Sequence, residues 1–117
     1  MLGLPSSVRI FACTESVDMR CGRYRLAAKV KDSSLGDPLS GHLFLFFSKN
    51  RASVKILYFD VSGYVVWHKV LERGRYTIPK NGGEIDSLEL KCLLEGVDIE
   101  KLLRKRHFSI PKQLPLS

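Results

Sequence analysis

The stretch from Pro38 to Pro79 constrains the fold more than any other part of the chain. It contains three apolar runs separated by turns rich in Asn, Asp, Ser and Gly, namely His42–Phe47, Ser53–Phe59 and Gly63–Leu71. Short runs of β-branched and aromatic residues bounded by such turns are typical of strands joined by hairpins. Apolar residues occupy both faces of each run, so we expect both sides of the sheet to be covered at least in part.

Further elements are predicted on either side of this stretch. Ser7–Cys13 alternates weakly and predicts a first strand. Apolar residues at helical spacing predict an amphipathic helix over Val17–Lys31, with Ser16 as its cap and Asp18 in its first turn. Arg75–Ile78 predicts a short edge strand that is stopped by a proline.

The C-terminal third predicts two short helices. The first begins at a cap formed by Asp86 or Ser87 and stops at Gly96, and the second covers Val97–Arg106. The predicted fold is therefore α+β. A small antiparallel sheet, made of a three-strand meander plus edge strands, is covered by the N-terminal helix and the two C-terminal helices. Residues 1–105 form a single domain, and the basic, proline-containing tail over residues 106–117 is expected to be extended or mobile.

Charge and composition limit the classes of function. The chain of 117 residues has a formal net charge of +7, which favours a polyanion or an acidic protein as partner. No segment approaches the roughly 18 apolar residues that span a bilayer, and the N-terminus lacks the pattern of a signal peptide. We therefore expect a cytoplasmic protein without a membrane partner.

Catalytic and metal-binding patterns are not found in the sequence. The histidines are isolated from one another, and the cysteines show no paired spacing: His42, His68, His107, Cys13, Cys21 and Cys92. Three carboxylates suit two-metal chemistry, although each also fits a helix cap or a turn: Asp18, Asp60 and Asp98. We expect no enzyme activity, no cofactor, no metal and no small-molecule substrate.

Basic residues form a different constellation. They cluster in turns and at the last helix, and aromatic residues lie between some of them: Lys49, Arg51, Lys69, Arg73, Arg75, Lys101, Arg104, Lys105 and Arg106, with Tyr58, Tyr64, Trp67 and Tyr76. Cations beside aromatic rings can grip phosphates and stack bases, but a solvated charged face over an aromatic core gives the same pattern. The candidate nucleic-acid contacts are Arg20, Lys49, Arg51, Arg73 and Arg75.

Five short pieces occur in an order that belongs to one known family. They are Asp18–Arg20 with Gly22, Asp37–Pro38 with Ser40–Phe44, Lys55–Asp60 before Gly63, Leu71–Tyr76, and Leu93–Asp98. On these pieces the chain resembles the small accessory protein (TnpB) of insertion sequence 66 family transposons. It departs from the family at Cys21, where a basic residue is usual, at Tyr24–Arg25, where Asp-Gly is usual, and at Phe59, where Trp is frequent.

The resemblance implies a non-catalytic accessory protein of DNA transposition, with a separate transposase carrying the catalytic residues. The expected partners are transposon DNA, the transposase, or both. The alternative is a pure protein-interaction module, in which exposed aromatics such as Trp67 or Tyr64 dock on the transposase without DNA contact.

Overall fold

The structure is a computed structural model that describes residues 7–79 and 83–96. Within these ranges the chain forms, in order, β1 (Ile10–Ala12), α1 (Arg23–Asp32), β2 (Leu43–Phe47), β3 (Ser53–Asp60), β4 (Gly63–Val70), β5 (Gly83–Ile85) and α2 (Ser87–Leu94). This confirms the prediction of an α+β chain. The three central strands lie within a residue or two of the predicted runs. No helix in the described ranges is long and apolar enough to cross a membrane.

The five strands form one sheet in the order β4-β3-β2-β1-β5. β2, β3 and β4 pair antiparallel in chain order, whereas β1 runs parallel to β2 and antiparallel to β5. The prediction of a purely antiparallel sheet is therefore wrong at β1 and β2, and β1 lies inside the sheet. The physical reason is the connection: a strand that returns through a helix can re-enter the sheet in the same direction, which a tight hairpin cannot do.

Helix α1 begins six residues later than the predicted start at Val17. The backbone N–H of Arg20 donates to the Asp18 carboxylate at 2.8 Å, and the N–H of Cys21 donates to the Asp18 carbonyl at 3.0 Å. This local turn competes with the helix for the same backbone groups. The helix therefore starts after Gly22, its extended N-cap residue, and the predicted cap at Ser16 is wrong.

The C-terminal elements show one confirmed prediction and one error. Asp86 caps α2 and forms a capping box with Glu89, and Gly96 follows the helix with a φ of 81°. Arg75–Ile78 is not a strand, whereas the three residues of β5 pair with β1. The predicted helix Val97–Arg106 and the tail lie outside the described residues.

The core occupies both faces of the sheet. All five residues of β2 are buried, and they alternate between two clusters. One cluster contains Leu90 and Leu93 of α2, and the other contains Leu26 and Val30 of α1. Burying a large apolar side chain fully contributes about 1.5–3 kcal/mol, so β2 is the strand that the fold depends on most.

Candidate nucleic-acid interface

The turn between β2 and β3 holds the first two candidate residues on a braced backbone. The Ser48 hydroxyl donates to the Asn50 side-chain carbonyl at 2.7 Å, and the backbone N–H of Ala52 donates to the same oxygen at 3.0 Å. The N–H of Arg51 donates to the Ser48 carbonyl at 2.9 Å. These bonds fix the turn, so the exposed side chains of Lys49 and Arg51 project from a backbone with little freedom.

Arg51 has an unusual backbone conformation. Its φ is 61°, in the left-handed region that favours glycine or asparagine. An L-residue with a side chain typically loses about 1–2 kcal/mol in this region. The chain nevertheless places an arginine at this position, and such strain is more frequent at functional sites than elsewhere.

The segment that follows β4 returns to the same turn. The backbone N–H of Leu71 donates to the Ala52 carbonyl at 2.8 Å, and the N–H of Tyr76 donates to the Arg51 carbonyl at 2.7 Å. The Tyr76 side chain is buried in the core cluster on the α2 side, 6.0 Å between ring centroids from Phe47. The residues between these two attachments, Arg73 and Arg75 among them, are therefore carried to the end of the sheet where the β2–β3 turn lies.

The loop before α1 reaches this end of the sheet as well. The backbone N–H of Val17 donates to the carbonyl of Phe47 at 2.9 Å. Lys55 of β3 donates from Nζ to the carbonyls of Met19 and Cys21 at 2.7 and 2.8 Å. Residues 16–19 of the loop and residues 48–50 of the turn line one groove. Arg20 thus lies on a loop that is attached to the turn of Lys49.

Arg20 differs from the other candidates because it is paired. Its guanidinium contacts the Asp18 carboxylate, with Nη2 2.7 Å from Oδ2, although 90% of the Arg20 side chain is exposed. Hydrogen bonds from the side chain and backbone of Arg20, with a smaller contribution from the charge of Arg25, lower the pKa of Asp18 to about 2. Arg20 therefore brings little net charge of its own, while its guanidinium is held in a fixed orientation.

The structure brings all five predicted contact residues to one end of the sheet, at which β1, β2 and β4 end and β3 begins. We call the set Arg20, Lys49, Arg51, Arg73 and Arg75 the basic end. Within residues 7–79 and 83–96 the ion pairs are Arg9 with Glu84 and Arg20 with Asp18. In that part of the chain Lys49, Arg51, Arg73 and Arg75 consequently have no carboxylate partner.

Other basic residues do not join this set. Lys69 donates from Nζ to the carbonyl of Leu94 at 2.8 Å. Its positive charge therefore lies at the C-terminus of α2, where it interacts favourably with the helix dipole. Lys101, Arg104, Lys105 and Arg106 lie outside the described residues. Arg25 was not a candidate from the sequence, and it lies in the first turn of α1.

The carboxylates considered for metal chemistry do not converge. Asp18 lies at the basic end, whereas Asp60 closes β3 at the opposite end of the sheet, and Asp98 is outside the described residues. His42 accepts the backbone N–H of Arg9 at Nδ1, 3.0 Å away, and His68 lies opposite Lys55 in the sheet. In the described ranges no three His, Cys, Asp or Glu residues are grouped so that they could hold a metal ion.

The aromatic residues that were expected between the cations are partly or fully buried. Tyr64 and Trp67 pack against the two core clusters, and Tyr76 lies inside one. The exposed ring is instead Tyr24 in the first turn of α1, with 70% of the residue accessible. The Arg23 guanidinium stacks over it at 4.7 Å, and it meets Tyr64 edge to face. The sequence signal was present, because Tyr24 lies between two arginines, but periodicity alone assigns it no face.

Comparison with known proteins identifies the family of the chain. The family model described as IS66 Orf2 like protein matches residues 8–113. The chain belongs to the IS66 Orf2-like family. This membership makes it a transposition-associated accessory protein and confirms the resemblance seen in the sequence.

Two relatives of this IS66 Orf2-like protein come from Sinorhizobium fredii (strain NBRC 101917 / NGR234). Uncharacterized protein y4hO is 35% identical over 101 residues, which cover 84% of this chain and 88% of the relative. Uncharacterized protein y4jC is 33% identical over 108 residues, which cover 90% of this chain and 92% of the relative. No solved structure matches the chain.

Proposed function

We propose that this IS66 Orf2-like protein assists transposition by binding DNA of its element with the basic end. The observation that carries the proposal is the convergence of Lys49, Arg51, Arg73 and Arg75 through two long-range backbone hydrogen bonds. Three separate stretches of sequence contribute to the basic end, and a merely solvated charged face would not require that convergence. Such a role would place the protein in the bacterial cytoplasm with its DNA.

The chemistry of the basic end suits the phosphate backbone of a duplex. Arginine guanidinium groups form paired hydrogen bonds with phosphate oxygens, and a lysine adds a point charge. Four such contacts would give a slope of about −3.6 in log affinity against log salt concentration, since each neutralised phosphate contributes roughly −0.9. Contacts of this kind position a protein on DNA and carry no base sequence by themselves.

Within this proposal the protein acts by binding and does not catalyse a reaction. The separation of Asp18 and Asp60 to opposite ends of the sheet supports this, because two-metal phosphoryl transfer needs its carboxylates around metal ions about 4 Å apart. Strand cleavage and joining would belong to a separate transposase. A nuclease assay of the purified protein with Mg²⁺ or Mn²⁺ tests this part, and cleavage abolished by Asp18→Asn or Asp60→Asn would contradict it.

The test of DNA binding is fluorescence anisotropy with duplexes from the transposon ends and with unrelated duplexes of equal length. We expect binding at low salt, and we expect the log of the affinity to fall with the log of the salt concentration with a slope of about −3.6. The affinity should be similar for both duplexes if only phosphates are contacted. Absence of binding at low salt would refute the proposal. A marked preference for the transposon ends would show that base edges are contacted as well.

We also propose the transposase as a second partner, reached through the exposed Tyr24. Its ring is more accessible than Trp67 or Tyr64, and its stacked Arg23 suits an interface, where Tyr and Arg are enriched. Co-purification with the transposase should survive nuclease treatment and be lost in Tyr24→Ala. Arg75→Ala, which changes only the basic end, is the matched control. Equal retention in both variants would exclude Tyr24 as the contact.

A further inference from the structure

The two edges of the sheet differ in how they meet solvent. β5 is an edge of three residues, and its Glu84 is ion-paired at 2.6 Å with Arg9, the residue that precedes β1. β4 is an edge of eight residues, and its register with β3 is continuous from one end to the other. Within the described residues no strand pairs with its outer side.

β4 also lacks the features that normally keep an edge strand from pairing with another chain. It contains no proline, and its unbroken register shows no bulge. Lys69 is its only lysine, and the Nζ atom of that residue is bonded to the Leu94 carbonyl. Long, regular edge strands without such protection pair readily with other strands.

The outward-facing backbone groups of β4 can be assigned. The N–H of Leu71 points inward, to the Ala52 carbonyl, and that pair continues the register of β3 with β4. In an antiparallel ladder the direction of these groups alternates along the strand. The groups that face outward therefore belong to Tyr64, Val66, His68 and Val70.

Exposed apolar side chains follow the same edge. The larger hydrophobic residues that are most exposed in the described part of the chain are Tyr24, Leu39, Val61, Val70 and Leu88. Val70 ends β4 with 52% of its surface accessible, Val61 lies in the turn before β4, and Tyr24 packs on Tyr64. Three of these five residues thus border one edge, and pairing along it would cover apolar surface.

We propose that β4 pairs antiparallel with β4 of a second copy, which joins the two sheets into one of ten strands. A single symmetric register pairs all four outward-facing residues. In it Tyr64 lies opposite Val70 of the second copy, Val66 lies opposite His68, and Trp67 faces its own counterpart on the two-fold axis. Cross-strand aromatic pairs stabilise sheets, and no charged residue of β4 faces a like charge.

Charge favours a second copy as the occupant. In antiparallel pairing the basic end of one copy lies beside the Asp60 turn of the other copy, so that opposite charges meet at both ends of the seam. A foreign basic strand would meet Arg73 and Arg75 without that compensation. This inference does not depend on DNA binding, and its test uses no DNA.

The test combines sedimentation equilibrium with proline substitutions in the full-length chain. We expect a concentration-dependent mass that approaches twice the 13.3 kDa of one chain. Val66→Pro and Val70→Pro each remove an outward N–H and leave the bonds to β3 intact, so each should raise the dissociation constant about tenfold or more, since edge positions tolerate proline. Val70→Ala trims the side chain but keeps the N–H and should remain a dimer.

Hydrogen exchange of the four outward-facing amides of β4 distinguishes this dimer from a structure in which another segment covers β4. We expect protection of Tyr64, Val66, His68 and Val70 to increase with protein concentration. In each proline variant the remaining amides of this set should lose that protection, with circular dichroism unchanged. A monomer at all concentrations would overturn the inference, whether those amides exchange fast or stay protected. So would a dimer that survives both proline substitutions.

Discussion

The two turns of the β2–β3–β4 meander lie at opposite ends of the sheet and differ in the hydrogen bonds that stabilise them. Each contains a non-glycine residue in the left-handed region, Arg51 with a φ of 61° and Val61 with a φ of 48°. The turn of Arg51 is braced by bonds among Ser48, Asn50 and Ala52, and the segment after β4 is bonded to it. In the turn of Val61, by contrast, 93% of the valine surface is exposed to solvent.

The difference indicates what each end is suited for. A braced turn holds charged side chains in a fixed direction, which lowers the ordering cost of gripping a phosphate backbone. The turn at the other end carries an acidic residue, Asp60, whose charge disfavours phosphate. Under the proposed function, DNA is therefore expected at the end of the sheet that holds Arg51 and not at the end that holds Asp60.

The largest effect is expected when two arginines of the basic end are replaced by alanine. Arg73→Ala with Arg75→Ala should weaken DNA binding at least about 100-fold at low salt, because each charged hydrogen bond contributes roughly 1.5–3 kcal/mol. The salt slope should become shallower by about 1.8, for two phosphates at roughly 0.9 each. Both side chains are exposed, so the thermal midpoint should hardly change. Anisotropy and thermal melts measure the two quantities.

The matched control for this pair is Lys31→Ala with Lys91→Ala, which removes two exposed charges from the helices. We expect at most a few-fold loss of affinity in the control. Equal losses in both double variants would mean that total charge, rather than the basic end, determines binding. A fall in thermal midpoint of many degrees in the arginine variant would make those residues structural.

The next effect concerns the lysine that ties the Arg20 loop to the sheet. Lys55→Met should lower the free energy of unfolding by about 2 kcal/mol, since it leaves the carbonyls of Met19 and Cys21 without their charged donor. DNA affinity should fall only a few-fold, because Arg20 is already paired with Asp18. Urea denaturation gives the stability. Lys69→Met, which removes one such bond at α2, is the control and should leave affinity unchanged.

Two glycine substitutions compare the turns themselves. Val61→Gly and Arg51→Gly both relieve left-handed strain, so each should raise the free energy of unfolding by up to about 1 kcal/mol, more for the β-branched valine. Only Arg51→Gly should weaken DNA binding. Thermal melts together with anisotropy separate the outcomes, and weaker binding in Val61→Gly would show that the hairpin end also contacts DNA.

The smallest effect is a dependence on pH. Burial, followed by the charge of Lys55, lowers the pKa of His68 below its usual 6.5. The folded state then binds this proton less readily than the unfolded state, so the free energy of unfolding should decrease slightly as the pH falls through 6.5. His68→Gln should flatten that decrease in urea titrations at pH 7.5 and 5.5. A steeper decrease in the variant would contradict the assignment.

Asp18 provides a contrast within the same experiment. Its pKa is lowered to about 2, so its contribution to stability is complete above the ordinary value of 3.8 and is lost only as the pH falls toward 2. Asp18→Asn should therefore leave the shape of the stability curve between pH 5.5 and 7.5 unchanged. A changed slope in this range would show that Asp18 titrates there.

Local patterns predicted the parts of the fold whose partners are close in sequence. The meander followed from apolar runs and turn residues, and the cap at Asp86 or Ser87 followed from residue types that favour a helix start just before an apolar run. The start of α1 was missed because the Asp18 side chain takes the backbone N–H of Arg20. β5 was missed because a strand of three residues is defined by its pairing with β1, about 75 residues away.

The candidate site was predictable to a similar degree. Charge and turn position proposed four of its residues, and Arg20 came from the Asp-Met-Arg piece of the family resemblance; their contact with DNA stays a prediction. Their convergence depends on the bond from Tyr76 to the Arg51 carbonyl, which joins positions far apart in the chain and leaves no periodic signal. For the aromatic residues the sequence left two readings open, and packing on the faces of the sheet decides between them, because it partly buries Trp67 and fully buries Tyr76.

The most direct test of the comparison is an NMR titration of the ¹⁵N-labelled protein with a transposon-end duplex. We predict that amide shifts concentrate in residues 48–52 and 72–76, extend to residues 18–21, and leave residues 37–41 unchanged. Shifts concentrated in residues 37–41, or equal in residues 37–41 and 48–52, would contradict the account.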